Sequence, residues 1–194
     1  MALIPMVIEE SPRGERSFDI YSRLLRDRIV MINSEIEPRM AGTIIAQLLF
    51  LESENPNADI SLYVQSPGGS VDAGEAIMDT MKYIKSPVST IAVGSVASMG
   101  AMILASGEPG KRFALPNARI MIHQPSAGMQ GKVTDMEIYF REAAKAKELL
   151  KKQLVEITGK TAKQIHDAME NDNWMTTEEA QKFGLIDEVL VKKS

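Results

Sequence analysis

A hydroxyl nucleophile, an imidazole to take its proton and a carboxylate to hold that imidazole form the minimum set for acyl-transfer chemistry. The second place has few candidates, because the 194 residues include only two histidines, His123 and His166. His166 lies beside Asp167 in a polar, helix-compatible stretch and reads as a solvated surface residue. His123 closes the apolar run Ile120-Met121-Ile122 and is followed by Gln124-Pro125, so it falls where a strand ends and a loop begins. A base standing there can reach a serine delivered by a neighbouring strand.

Two serines compete to be that nucleophile. The stretch Val88 to Gly107, VSTIAVGSVASMGAMILASG, reads as a strand over Ser89 to Val93, a turn over Gly94 to Ser98 and a helix over Met99 to Ser106. A serine at such a junction presents its hydroxyl at the edge of a sheet, while the first unpaired N–H groups of the helix point at whatever it attacks. Ser98 is followed two residues later by Gly100, which lets a substrate or another backbone approach, whereas Ser95 sits nearer the strand and could simply be a cap. The match to a G-x-S-x-G elbow is half complete, since Val96 stands in place of the first glycine. The same residues would also make an ordinary small-residue turn.

Ser66-Pro67-Gly68-Gly69-Ser70 lacks the Gly-Lys-Ser/Thr ending of a phosphate loop. It reads better as a loop whose glycine N–H groups are free to donate. One donor from it and one from the turn after Ser98 would form an oxyanion hole. For the carboxylate, Asp72, Asp135, Asp167, Asp172 and Asp187 are all available, and spacing does not choose between them. Asp172 lies in a predicted loop between two capped helices and is the least explained as helix decoration. With it the chain order is Ser, His, Asp, an order not used by chymotrypsin, subtilisin or the α/β-hydrolases.

The elements that must position these residues alternate. A short helical turn at Ile20 to Leu25 and a strand at Ile29 to Ile32 precede a helix over Pro38 to Ser53, in which Met40, Ile44, Leu48 and Leu51 recur at helical spacing. Then comes the strand Ile60 to Val64 and a helix whose face is Ala73, Ala76, Ile77, Thr80, Met81 and Ile84. Two such strand-to-helix units in succession, followed by the strand Arg119 to Ile122, predict parallel pairing with right-handed crossovers. In such sheets functional groups gather at strand ends.

Thr134 with Glu137 predicts a capping box opening a helix from Asp135 to Thr158, stopped by Gly159. At 1.5 Å per residue this helix spans about 36 Å, enough to project from the domain. Its stripe, Val133, Met136, Phe140, Ala143, Leu150, Leu154 and Ile157, needs a partner, for which a second copy of the chain is the natural candidate. Thr161 with Gln164 and Thr176 with Glu179 predict two further capped helices, with Asn171 to Trp174 as a loop between them and Ile186 to Val191 as a final strand. Met1 to Arg16 shows no clean period and reads either as a frayed end or as an apolar arm seeking another chain.

Composition narrows the class. With 26 acidic and 22 basic residues, a net charge of −4 and no long basic run, nucleic-acid binding is unsupported. The absence of cysteine removes disulfides and thiolate metal sites. No apolar stretch approaches a membrane span, and Met1 to Met6 lacks the charged start and the length expected of a signal peptide. The expectation is a soluble, cytoplasmic protein without a bound metal.

Taken in order, LIPMVIEE, GERSFDIYSRLL, SPGGS, ASMGA, MIHQP and TTEEAQKFGLID strongly resemble the ClpP family, the proteolytic subunits of ATP-dependent Clp proteases, over essentially the whole chain. The resemblance implies Ser98 as nucleophile, His123 as base, Asp172 as acid, and the backbone N–H groups of Gly69 and Met99 as oxyanion donors. It implies the ClpP/crotonase fold, an α/β right-handed spiral of β-β-α units with a protruding handle helix at about 132–158. Residues 1–18 would be an axial arm and 19–194 a single peptidase domain. Implied too are two stacked seven-membered rings, a docked AAA+ unfoldase of the ClpX, ClpA or ClpC type near Tyr63, Tyr83 and Leu190, unfolded polypeptide as substrate, no cofactor on this chain, and a cytoplasmic or organelle-matrix location. Three positions depart from the family pattern: Asn171 replaces a ring-pairing arginine, Ser95-Val96 replaces Gln-Ala, and Ser61 replaces a docking aromatic. A crotonase-type acyl-CoA enzyme would share the spiral without needing the serine–histidine pair, and a catalytically silent ring subunit would carry a broken triad.

Overall fold

The computed structural model describes residues 4–12, 14–126, 128 and 130–192. Its main sheet is built from β3 (Ile29–Ile32), β4 (Ile60–Ser66), β5 (Val88–Ala97), β6 (Arg112–Ala114) and β9 (Glu188–Val189), adjacent in that order and all parallel. The long crossovers that parallel pairing requires are supplied by α2 (Pro38–Glu54) between β3 and β4, and by α3 (Val71–Tyr83) between β4 and β5. Two further strands, β7 (Arg119–Ile122) and β8 (Asn173–Met175), lie off this path; β7 runs parallel to β5, and β8 antiparallel to β7.

The length of β5 explains this layout. Its first half, Thr90 to Ala92, pairs with β6, and its second half, Ser95 to Ala97, pairs with β7. Between the two lies Gly94, at φ +61°, opposite a register irregularity in β4 between Val64 and Ser66. A residue without Cβ takes that conformation at no steric cost, so the strand can bend and exchange one neighbour for another. The sequence therefore predicts too short a strand: of the stretch that reads as a turn over Gly94 to Ser98, Gly94 to Ala97 is the bent continuation of β5 and only Ser98 lies beyond it.

The helix that follows, α4 (Met99–Ala105), is buried at every position. It has no polar face, which is why its sequence is small and apolar throughout. It packs against β4, β5, β7, α3 and α5, and shares one buried core with Ile77 and Met78 of α3 and Ile120 of β7. Burying side chains of the size of Ile103 and Leu104 contributes about 1.5–3 kcal/mol each.

After β7 come α5 (Val133–Thr158), α6 (Ala162–Met169) and α7 (Thr177–Phe183). Both predicted boxes at Thr161/Gln164 and Thr176/Glu179 form, with the side chain and backbone bonding reciprocally. The box predicted at Thr134/Glu137 does not form. The helix begins earlier, with Lys132 at its N-cap and no side-chain bond, so Thr134 is already inside the first turn. Gly159 ends it at φ +68°. Leu150, Gln153 and Leu154 of its second half are buried, while Val133, Ile138, Tyr139 and Phe140 of its first half are exposed.

The N-terminal segment forms a hairpin that the absence of a clear period had hidden. β1 (Met6–Ser11) and β2 (Gly14–Asp19) pair antiparallel as a separate two-stranded sheet. Its anchors are contacts distant in sequence. Glu9 pairs with both Arg23 and Arg26 of α1 (Ile20–Arg26), and the Arg26 guanidinium lies 5.1 Å from the centre of the Phe18 ring. Beyond the hairpin, the final strand is shorter than predicted, and β6 and β8 were not predicted. No helix among the described residues is long and apolar enough to cross a membrane.

Candidate active site

Three strand ends meet at one corner of the sheet. Ala97 of β5 lies beside Met121 of β7, and the next residue, Ser98, donates its backbone N–H to the Met121 carbonyl at 2.8 Å. On the other side of β7, Ile122 is registered with Asn173 of β8. One residue beyond that pair on each strand stand His123 and Asp172. The ladder thus places the imidazole between a hydroxyl from one neighbour and a carboxylate from the other, although His123 and Asp172 are 49 positions apart in sequence.

The side chains close the arrangement. His123 Nε2 lies 2.8 Å from Ser98 Oγ, and His123 Nδ1 lies 2.9 Å from Asp172 Oδ1. With the ring proton on Nδ1, His123 donates to Asp172 and accepts from the Ser98 hydroxyl, the tautomer that general-base catalysis requires. Gln124, the next residue, fixes the loop. Its backbone N–H donates to the Met169 carbonyl at 2.7 Å, its Nε2 donates to the Glu170 carbonyl at 3.1 Å, and its Oε1 accepts from Lys147 Nζ at 2.6 Å.

Ser98 has a strained backbone, with φ +55° and ψ −123°. For a residue with a side chain such a conformation costs of order 1–3 kcal/mol and is kept where the surroundings over-determine it. Strand β5, a strained serine and helix α4 in succession have the shape of a nucleophile elbow. Ser95 is in a different setting: an exposed residue within β5, registered with Arg119 at the start of β7, whereas His123 follows its end.

The Gly-Gly loop lies against this elbow. A Cβ at Gly68 would come within 2.6 Å of Ser98 Cβ and 3.1 Å of the Met99 nitrogen. Gly69 is pressed onto Ile36, whose oxygen would be 2.2 Å from a Cβ there. Ile36 N–H donates to Gly68 O and Ser70 N–H donates to Ile36 O, both at 2.8 Å. This backbone ladder leaves the Gly69 N–H facing away from Ile36. The Met99 N–H, at the first position of α4, also has no intrahelical acceptor. Two such donors flanking Ser98 can stabilise a developing oxyanion.

The other aspartates are occupied elsewhere. Asp72 and Asp135 lie in the first turns of α3 and α5, where the helix dipole favours negative charge. Asp167 is exposed on α6. Asp187 accepts from the Gly110 N–H at 2.8 Å and from the Arg112 N–H and Nε, each at 2.9 Å. Burial opposes its ionisation, but these donors and the Arg112 charge prevail and hold its pKa below the usual carboxylate range. His166 is exposed and 3.9 Å from Glu170.

An apolar cleft opens beside Ser98, lined by Val71, Met102, Ile122, Pro125, Leu150 and Leu154. Of the three residues implied for partner docking, Tyr83 is 82% exposed and shares a groove with Leu49, Asp79, Thr80 and Lys82. Tyr63 stands mid-sheet between Met31 and Ile91, and Leu190 donates its N–H to Ala114 O at 2.8 Å; neither lines that groove. Among the described residues no group of three or more His, Cys, Asp or Glu side chains is gathered as metal ligands would be.

Fold and corner together define a class: a mixed α/β protein with a mostly parallel sheet, bearing at its strand ends the residue types from which acyl-cleaving hydrolases are built. The Clp protease family matches residues 12–193, and the chain belongs to that family, a family of peptidases with the ClpP fold.

Proposed function

We propose that the chain is a serine endopeptidase with Ser98 as nucleophile, His123 as general base and Asp172 as the acid that holds the imidazole. The observation that carries this reading is the pair of hydrogen bonds joining Ser98 Oγ to His123 and His123 to Asp172. His123 Nε2 takes the Ser98 hydroxyl proton as Oγ attacks the scissile carbonyl. The N–H groups of Gly69 and Met99 receive the oxyanion. The imidazolium then gives its proton to the leaving amine, and a water activated by the same nitrogen hydrolyses the acyl-enzyme. The apolar cleft beside Ser98 favours substrates with apolar side chains next to the cleaved bond.

Family membership and the exposed first half of α5 support a closed assembly of two stacked heptameric rings, with that half as the handle between them. Residues 1–18 would form the axial arm of a peptidase domain spanning 19–194. An AAA+ unfoldase would dock on surfaces that include Tyr63, Tyr83 and Leu190 and deliver unfolded polypeptide, using ATP itself, so that this chain needs no cofactor. Its setting would be the cytoplasm or an organelle matrix. Fourteen copies of 21.4 kDa make a particle of about 300 kDa for sedimentation to detect.

A fluorophosphonate probe followed by mapping of the adduct tests the chemistry. Labelling is expected at Ser98. Labelling at Ser95, or none in an assembled sample, would overturn the assignment.

A further inference from the structure

Helices α3 and α5 are joined near the cleft by one pair of side chains. Glu75 Oε2 accepts from Gln153 Nε2 at 2.8 Å, and among the described residues no other side-chain hydrogen bond links these two helices. The second oxygen of each group, Glu75 Oε1 and Gln153 Oε1, is buried and has no partner. Two acceptors are thus left without a donor, an arrangement that carries their desolvation cost uncompensated. A carboxyl group and a primary amide are both planar and can join through two parallel hydrogen bonds, provided the carboxyl carries a proton. The Gln153 N–H already makes one of them. A proton on Glu75 Oε1 would make the other to Gln153 Oε1, satisfying both oxygens at once.

The surroundings favour that proton. Burial is the largest influence and raises the Glu75 pKa; the Gln153 N–H opposes the rise, Asp79 adds to it, Lys82 opposes it and Asp72 adds to it. Other helices bring little compensating charge. On α2, Glu52 is engaged by the Lys85 backbone N–H, and α4 has no ionisable side chain. On α5, Lys151 is held by Glu148, and Lys152 lies 3.9 Å from Glu156.

We propose that Glu75 and Gln153 form a proton-operated clasp: when Glu75 is protonated the two side chains pair through two hydrogen bonds and hold α5 against α3, and when it ionises the bond through Oε1 is lost and the clasp opens to the single bond from the Gln153 N–H. The proton comes from solvent and returns to it. A carboxyl with a raised folded-state pKa stabilises the fold fully below its unfolded pKa, and that contribution is lost as pH rises through the folded value. The clasp therefore closes on acidification and opens toward alkaline pH. Val71 lies one turn before Glu75 on α3, and Leu150 and Leu154 flank Gln153 on α5; all three line the cleft beside Ser98. Opening the clasp loosens that wall. This consequence rests on Ser98 being the nucleophile, whereas the clasp does not. Glu75 acts here as a positioning residue.

Glu75→Gln is the decisive variant, because a glutamine at 75 can make both hydrogen bonds to Gln153 at every pH. Infrared difference spectra of the assembled protein, wild type minus E75Q, should show a protonated-carboxyl band that persists above the ordinary glutamate range, about pH 4.3, and fades as pH rises. Across the same interval the variant's Tm should gain about 2–4 °C on wild type, the shift expected for one hydrogen bond in a chain of this size. A band that is gone by the ordinary range would mean an ionised Glu75 with a water donating to both oxygens, and would overturn the clasp. So would a Tm difference that does not change with pH. With a peptide bearing an apolar residue before the cleaved bond, KM should rise severalfold in wild type over that interval and stay flat in E75Q, with kcat following the same pH profile in both. Parallel KM profiles would overturn the link to the cleft. If no peptide is hydrolysed at any pH, the peptidase reading falls, and the infrared band and the melts still decide the clasp.

Discussion

At the corner where β5, β7 and β8 end, each important side chain is positioned twice, once by strand register and once by a hydrogen bond. Along Val133 to Phe140 of α5, by contrast, Val133, Ile138, Tyr139 and Phe140 stand in solvent, with Phe140 at 70% exposure. Both regions belong to one chain of 194 residues. A single copy completes the first and leaves the second without cover. Contiguous apolar surface of this kind marks an interface, and its separation from the corner means that chemistry and assembly are open to perturbation one at a time.

The largest effect is expected at the corner. Asp172→Asn replaces a group that can only accept from His123 Nδ1 by an amide that can also donate to it, with almost no change in side-chain volume; if Asp172 holds the imidazole as proposed, peptide hydrolysis should fall by about 10⁴-fold, the size of the corresponding change in the chymotrypsin triad. Steady-state kinetics on a short peptide would measure it. An unchanged rate would mean that register alone holds the imidazole, or that another carboxylate does so. The exposed half of α5 should not sense this change, and the sedimentation profile of D172N should match wild type.

A smaller effect is expected one layer out. In Gly68→Ala the new methyl would stand 2.6 Å from Ser98 Cβ, on a backbone at φ +100°. Either the loop or the elbow must move. Displacing one oxyanion donor typically costs 10² to 10³ in kcat, and Gly68→Ala is expected to fall in that range. Fluorophosphonate labelling of Ser98 should slow without moving to another residue. A kcat within a factor of two of wild type would show that the loop can shift without carrying the Gly69 N–H with it.

These contrasts also explain which parts were legible in the sequence. Alternating strands and helices announced the parallel sheet, and the apolar run before His123 announced a strand end, because both signals are local and strong. The choice of Asp172 was not legible from spacing, since its position depends on β8, a three-residue strand stabilised by pairing with β7, whose nearest registered partners, Ile122 and Asn173, are 51 positions apart. The bend of β5 at Gly94 looked like a turn, because a glycine between β-branched runs signals either. The N-terminal hairpin escaped notice because its anchors, Arg23 and Arg26, lie beyond the segment itself. At Thr134 a correct local signal lost to an earlier helix start. The clasp at Glu75 was invisible, because Glu75 and Gln153 are 78 positions apart and each alone is an ordinary polar helix residue. What resolved Ser98 against Ser95 before any coordinates was the resemblance of ASMGA within the ordered motif set.

The smallest effect on the fold itself should come from the other side of the comparison. Phe140→Glu replaces an exposed side chain with a good helix former and leaves no cavity, so the chain's own unfolding free energy, measured by denaturant at concentrations too low for association, should change by no more than about 0.5 kcal/mol. The rate of active-site labelling in dissociated chains should be unchanged as well, since the corner is complete in one copy. The assembly should respond differently. A carboxylate placed in an apolar contact between copies must be desolvated without a partner, so sedimentation should shift from the large particle toward single rings or smaller species. If F140E sediments as wild type does, the exposed half of α5 is not the surface that joins the copies, and the contrast between a self-sufficient corner and an unfinished helix loses its second term.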